Sequence, residues 1–289
     1  MSIFGFDPAV IISLCLGMGL SIGSIILFNY LSSEKASKTA LDGTNWAQYP
    51  LIKRVDISSN TAVYRFGLPS PTAILGLPIG QHIQIQATIN DKVVTRSYTP
   101  TSSDDDQGFF ELLIKVYEKG NISKHIDGLK IGDSIKVKGP KGQFVYDKNL
   151  ASHLSMIAGG TGITPHLQII RAALKDETDK TTISLIYANV TEEDILLKKE
   201  LDELAANSQG RFTVYYVLNN PPPGWTGGVG FITKEQIDQR LGKALEDESS
   251  KVLLCGPPPM LTAMKVHLSE LGYPAPKVIS KLPDKVFCF

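Results

Sequence analysis

The stretch AGGTGITP, residues 158–165, decides how this chain folds. Before it runs LSMIA, apolar and of strand length, and after it ITPHLQIIRAAL carries apolar residues at helical spacing, so the glycines occupy a strand-to-helix turn. Gly159, Gly160 and Gly162, with Thr161 among them, let the backbone turn tightly and approach a ligand, while free N–H groups at the start of the helix suit a phosphate. No lysine follows, so this is not a P-loop, and the spacing departs from the G-x-G-x-x-G dinucleotide pattern. Taken alone, the turn favours a bound phosphate over a connection that binds nothing, although a bare glycine turn is weak evidence.

The same rhythm repeats downstream. TISLIYA, FTVYYVL and KVLLC are apolar strand candidates, separated by EEDILLKKELDEL and TKEQIDQRL with helical spacing, and such alternation predicts a parallel sheet covered by helices. LLCGPPPM, residues 253–260, ends one of these strands before the helix LTAMKVHL. Cys255 and Gly256 then lie at the carboxyl edge of the sheet, where open α/β sheets bind ligands, and the prolines stiffen the loop. Upstream, TAVYRFGL, QHIQIQATI, FFELLIKVY and DSIKVKG alternate apolar and polar residues between turn signals, which predicts a closed antiparallel barrel or sandwich with one short helix at NISKHIDGL. A chain of 289 residues suits two domains. The rhythm divides it into residues 49–150 and 151–289.

Ahead of both, residues 10–31 carry no charge, matching the roughly 20 residues needed to cross a bilayer as a helix. No Lys or Arg precedes this run and Lys35 and Lys38 follow it, so the positive-inside bias predicts an anchor in residues 1–31, a polar tether over residues 32–48, and cytosolic domains beyond. Lysine plus arginine equals aspartate plus glutamate at 29 each, and nothing suggests a nucleic-acid partner. Cys15, Cys255 and Cys288 show no metal-ligand spacing and read as reduced thiols.

In VVTRSYTP, residues 93–100, alternation puts Arg96 and Tyr98 on one face of a strand, a bidentate phosphate donor beside an aromatic plate, with Ser97 and Thr99 on the other. Pro100 ends the strand, and a twist there would let Thr99 share their ligand. The helix opening at Asn121 and Ser123 offers a second phosphate site. Two phosphate cradles imply two nucleotides. The competing reading of Arg96 is a surface ion pair with Asp104, Asp105 or Asp106, which otherwise form a solvated loop.

Together RSYTPTS, GNISKHI, AGGTGITP, CGPPPM and the terminal KVFCF, in this order, resemble the ferredoxin-reductase superfamily and most closely the NADH-cytochrome b5 reductases; GLPIGQHI, EEDILLKKEL and WTGGVGFIT resemble their fungal membrane-anchored members. The resemblance spans residues 48–289 and implies an FAD-binding antiparallel β-barrel followed by a Rossmann-like NAD domain. It further implies that Arg96, with Ser97, Asn121, Ile122 and Ser123, holds the FAD pyrophosphate. Tyr98 and Thr99 would flank the flavin, and Leu113 and Lys115 would line the rest of its site. His82 would work with Thr99 near flavin N5 as a proton route, the alternative being a structural strand histidine. Gly159, Gly160, Thr161 and Gly162 would hold the phosphates and ribose of NADH, and Thr164 would reach the flavin. Cys255, Gly256, Pro257 and Met260 would border the nicotinamide, with Phe289 beside the flavin.

The implied activity is hydride transfer from NADH to FAD, then single electrons to cytochrome b5, with room for a second acceptor, an electron carrier of diphthamide synthesis. Endoplasmic reticulum and mitochondrial outer membrane both satisfy the expected topology. Lys115, Lys124 and Lys138 are candidates for docking an acidic haem protein. Asn219 and Asn220 stand where many relatives carry an acid that accepts from the ribose and repels the 2′-phosphate of NADPH, which weakens strict NADH preference. Two other readings are a reductase component for an oxygenase or nitrate reductase, and a membrane-tethered nucleotide-binding adaptor without redox activity.

Overall fold

The structure is a computed structural model that describes residues 39–241 and 247–289. The expected anchor at residues 10–31 lies outside the described residues; among them, no helix is long and apolar enough to cross a membrane. Residues from Ala40 to Phe289 form one compact unit.

The first sheet turns on one long strand. β1 (Ala47–Ser58) pairs antiparallel with β6 (Ser134–Lys141) through its first residues and with β2 (Thr61–Gly67) through the rest, so the sheet bends along it. β3 (His82–Ile89), β4 (Lys92–Tyr98) and β5 (Phe109–Lys115) complete the order β4-β3-β6-β1-β2-β5. Inward residues Tyr49, Tyr64, Phe66, Ile83, Ile85 and Phe110 are almost fully buried, as the period-two pattern requires. The antiparallel sheet is as expected, and no ladder runs between its first and last strands. β4 and β5 are the two outer strands, and Thr101 N–H donates to the Glu111 carbonyl at 2.9 Å just past the end of β4. The helix α1 (Ile122–Asp127) packs on β3 and β4 and buries Ile122 and Ile126 in the same core.

The expected tether also changes character where it is described. Ala40 and Leu41 donate backbone bonds to Ile74 and Leu75, and the Tyr49 hydroxyl donates to the Ala40 carbonyl at 2.5 Å. Asp42 accepts from the N–H groups of Thr44 and Asn45, so this segment is docked on the sheet rather than free.

The second sheet is parallel throughout, in the order β10-β9-β8-β7-β11-β12. Its strands are β7 (His153–Gly159), β8 (Thr182–Asn189), β9 (Phe212–Leu218), β10 (Gly228–Val229), β11 (Lys251–Cys255) and β12 (Val286–Cys288). One face, with Met156, Leu185, Tyr187 and Leu253, packs under α2 (Ile163–Lys175), and α3 (Lys198–Asn207) lies nearby on β9. The other, with Ile157, Ile186, Val217 and Leu254, is covered by α4 (Lys234–Leu241) and α5 (Pro258–Glu270). Burial on both faces explains why these strands read as continuous apolar runs. Chain direction across the sheet reverses between β7 and β11, where open α/β sheets place their ligands.

Leu113 of β5 and Phe144 of the loop after β6 are buried in the same cluster as Leu253 and Phe287 of the parallel sheet. α2 adds polar ties: Arg171 donates to the Thr101 carbonyl, Lys175 pairs with Asp105, and Gln168 Oε1 accepts from Gly80 N–H at 2.6 Å. Asp105 is thus paired with α2 rather than only solvated, while Asp104 accepts from Gly76 N–H and Asp106 from Ser103 N–H.

Candidate functional site

The glycine turn after β7 and the turn after β11 lie side by side at the reversal point, pressed together. A Cβ on Gly162 would collide with the Cys255 carbonyl oxygen. One on Gly159 would collide with Met260 Sδ and reach Pro257 Cδ at 3.0 Å, and one on Gly256 would meet Met260 Sδ at 3.0 Å and Gly159 N at 3.2 Å. These three glycines therefore serve the contact between two turns, a role the motif alone does not reveal. Gly160 differs: its φ is +52° and a Cβ there would meet nothing within 4 Å. Of the glycines after β7, it is the one beside open space.

Thr161, between them, accepts through its carbonyl from Thr164 Oγ1 at 3.2 Å, so Thr164 is used within the turn. Behind it the fully buried Tyr187 donates from its hydroxyl to the Gly160 carbonyl at 2.9 Å, and burial raises the phenol pKa well above its usual value. Cys255 ends β11 partly exposed; burial, then the neighbouring Cys288, push its thiol up to about 12, so it is a neutral thiol at neutral pH. Phe289 donates its N–H to the Leu254 carbonyl at 3.0 Å, and its ring lies 5.4 Å from Phe144 and 5.0 Å from Phe287. The end of the chain is thereby fixed beside β11.

On the antiparallel sheet, Arg96 pairs across from Ile85 and Tyr98 from Ile83, so both belong to the inner face. Because β4 is an outer strand, Arg96 stays exposed there. Its Nη1 donates to the Thr95 carbonyl at 2.8 Å, and among the described residues it forms no ion pair; the competing pair with Asp104, Asp105 or Asp106 is absent. Ser97 is exposed and points to the outer face. Tyr98 is partly buried against the core, which pushes its phenol up to about 12, with Arg96 acting in the opposite direction.

His82 opens β3. His82 and Thr99 are the residues that adjoin Ile83↔Tyr98, the last pair of the β3–β4 ladder. Burial lowers the His82 pKa, leaving a neutral ring. Alongside, α1 brings buried Ile122 and Ser123 against β4, while Asn121 at its N-cap is exposed and makes no side-chain capping bond. Leu113 is buried, and Lys115 donates to Asp194 Oδ1 at 2.5 Å, across from β5 to the loop after β8. That pairing removes Lys115 from the expected docking lysines. Lys124 is exposed, and the Lys138 ammonium lies 5.1 Å from the Trp46 ring centroid.

From the first sheet, β5, which carries Leu113 and Lys115, packs against the turn Gly160–Gly162. A separate cavity of about 1030 Å³, lined by Leu75, Pro100, Arg171 and Leu204, lies behind this, along the outer side of α2. Three residues escape the motif-based reading: His166 in an amphipathic helix, Tyr187 in an apolar strand, and Asp194 in a charged run that resembles helix; only the polar hydroxyl of Tyr187 inside an apolar strand offered a signal.

Residues 48–146 match the oxidoreductase FAD-binding domain family and residues 156–265 the oxidoreductase NAD-binding domain family. The NADH-cytochrome b5 reductase 1 of Cryptococcus neoformans var. neoformans serotype D is 58% identical over 94% of this chain and 94% of its own. The chain belongs to the NADH-cytochrome b5 reductase family. The Mycosarcoma maydis relative is also 58% identical, over 93% of this chain and 82% of its own. Among solved structures, the cytochrome b5 reductase domain of Ulva prolifera nitrate reductase superposes with a TM-score of 0.78 at 35% identity, covering 87% of this chain and 100% of that one. This reductase is accordingly an FAD-dependent oxidoreductase whose cofactors are FAD and NADH. None of these matches supports the adaptor without redox activity.

The residues present fit both cofactors. Arg96 has an exposed guanidinium bonded only to the Thr95 carbonyl, a group whose chemistry suits a pyrophosphate, and Gly160 leaves open space beside the backbone at the reversal point of the parallel sheet.

Proposed function

We propose that this reductase is anchored in a cytosol-facing membrane by residues 1–31 and passes electrons from NADH through FAD to cytochrome b5. The observation that carries the site is the closeness of the two turns after β7 and β11, with Arg96 exposed and free of any ion pair on the outer strand β4 of the first sheet. When bound, FAD accepts a hydride from NADH and returns electrons singly to a one-electron acceptor. Residues 49–150 take FAD and residues 151–289 take NADH.

In this reading Arg96, with Ser97, grips the FAD pyrophosphate, helped by Asn121, Ile122 and Ser123 at the start of α1. Tyr98 and Thr99 flank the flavin, and Leu113 forms an apolar wall that keeps water off. Lys115, already neutralised by Asp194, lines the same wall. His82, whose pKa burial lowers, works with Thr99 to hold or move a proton. Gly159, Gly160, Thr161 and Gly162 seat the phosphates and ribose of NADH, and Thr164 supports that turn. Cys255, Gly256, Pro257 and Met260 border the nicotinamide, and Phe289 closes the flavin side.

Anchoring is supported by the uncharged run at residues 10–31 and by Lys35 and Lys38 after it. Endoplasmic reticulum and mitochondrial outer membrane both fit, and an electron carrier of diphthamide synthesis is a second acceptor in this proposal. Lys124 and Lys138 remain as docking cations.

Visible spectra of the full-length protein in detergent, recorded without oxygen during addition of NADH or NADPH, test the core of the proposal. Bleaching of bound flavin far faster with NADH supports it and shows that Asn219 preserves the preference. Equal bleaching shifts the nicotinamide preference, and a protein that takes up no flavin overturns the site.

A further inference from the structure

His166 has no part in the roles given so far, yet it is fully buried where three parts of the site meet. It sits in the first turn of α2. Its Nδ1 lies 2.8 Å from the Gly162 carbonyl oxygen, and its Nε2 lies 3.2 Å from the Leu253 carbonyl oxygen on β11. Its ring meets that of Phe289 edge to face at 5.7 Å. Gly162 itself touches the Cys255 carbonyl, and the Phe289 N–H is held by Leu254. One imidazole therefore contacts the glycine turn, the strand that leads into the second turn, and the end of the chain.

An apolar side chain of similar size would fill this space without any desolvation cost, so packing alone does not call for histidine. The imidazole instead adds a stiff link between two carbonyl oxygens. Carbonyls only accept, and a neutral imidazole has one N–H, so one end is a hydrogen bond while the other sets a nitrogen lone pair against a carbonyl oxygen, a repulsive contact that limits how closely the two parts approach. Burial pushes the ring down to about 4, which keeps it neutral at neutral pH. Deeper burial of either turn, or its retreat, would alter both ends at once.

We propose that His166 is a positioning residue, a strut that sets the spacing between the glycine turn and the Leu253–Cys255 end of β11, and so the depth at which the nicotinamide meets the flavin. The inference rests on the seating of NADH between those two turns. It concerns geometry at the reacting carbon, where a displacement of about 1 Å costs up to a hundredfold in rate.

The test compares the full-length, FAD-loaded wild type with His166→Met and His166→Asn. The readouts are the rate of flavin bleaching by saturating NADH per bound flavin, the apparent Kd for NADH, and the visible circular dichroism of the flavin. His166→Met is expected to lose about tenfold or more in rate per bound flavin, with altered dichroism, and His166→Asn, which can still donate to one carbonyl, to recover part of it. A merely structural role would lower melting temperature and flavin content but leave the rate per bound flavin within about twofold, and that result for His166→Met overturns the proposal. Nitrogen-15 histidine spectra of the wild type, which need no variant to fold, overturn it too if His166 shows no solvent-protected ring N–H. Gly160→Val separates the two layers. If it impairs NADH reduction while His166→Met does not, only the strut fails; if it leaves NADH reduction untouched, the seating of NADH fails and the strut with it.

Discussion

The glycine turn after β7 and the outer strand β4, to which the proposal assigns NADH and FAD, are built in opposite ways. At the turn, Gly159 and Gly162 are filled against Met260 and Cys255 so tightly that no Cβ fits. At β4, Arg96 stands on an inner face that its own sheet leaves exposed, with its guanidinium tied only to a neighbouring carbonyl. The first region is complete within the protein, whereas the second has binding capacity to spare. Substitutions should therefore damage stability at the turn and affinity at the strand.

The largest effect is expected for Gly162→Ala. The added methyl strikes backbone atoms of Cys255, which cannot swing aside as a side chain tip could. A loss of roughly 3 kcal/mol follows from overpacking at a rigid contact, read as a fall in the urea midpoint of the FAD-loaded protein. Gly160→Ala is the companion: with open space around it, only the strain of a positive φ remains, about 1 kcal/mol. Equal losses at the two positions would show that the turns are not in contact in solution.

Next comes Arg96→Ala, which should do the reverse. A charge-assisted bond contributes about 1.5–3 kcal/mol, so FAD affinity should fall roughly a hundredfold in a titration of flavin-free protein. The melting temperature of that flavin-free form should hardly move, because the side chain supports nothing else. A large drop in it would assign Arg96 a structural role after all.

How much of this was legible beforehand follows the same division. Strands buried on both faces and a glycine turn before a helix are local signals, so β7, β8, β9 and β11 emerged from runs such as LSMIA and KVLLC. Contacts between distant segments leave no such trace. EEDILLKKELDEL has helical spacing throughout, yet the helix begins only at Lys198, because Leu197 adopts φ +60° and Asp194 turns back to accept from Thr191 and Lys115. Alternation announced the strands of the first sheet but not that β4 and β5 would fail to pair along their length. His166 read as one more residue of an amphipathic helix, since nothing local encodes the Leu253 carbonyl opposite it.

A middle-sized effect is expected for Asp194→Asn, which leaves Lys115 without its partner. Both side chains are mostly buried, at 17% and 25% exposure, so loss of about 1.5 kcal/mol is expected, in line with a hydrogen bond to a charged group. The hydrogen bond from Lys115 holds the Asp194 carboxyl below its usual pKa, ahead of the opposing desolvation. A depressed folded pKa means that the stabilisation is present above the ordinary carboxylate range and is lost as pH falls through the depressed value. Wild type and variant melting curves should thus separate at neutral pH and converge in acid. A gap that persists at low pH would trace the effect to packing instead.

The smallest effect sharpens the picture of the tight side. Cys255 lies at the seam between the two turns, and burial holds its thiol up to about 12, so almost none of it is thiolate at pH 8. An ordinary cysteine has a pKa near 8.5, and alkylation by iodoacetamide should therefore run more than about tenfold slower at Cys255 than at a free thiol under the same conditions. Peptide mapping distinguishes it from Cys288, whose thiol is also raised by burial. Rapid alkylation of Cys255 in the folded, FAD-loaded protein would mean that the turns part often enough to hydrate the thiol and let it ionise. Gly162 and Met260 would then mark a contact that opens and closes, and the contrast with the exposed strand would become one of timing rather than of construction.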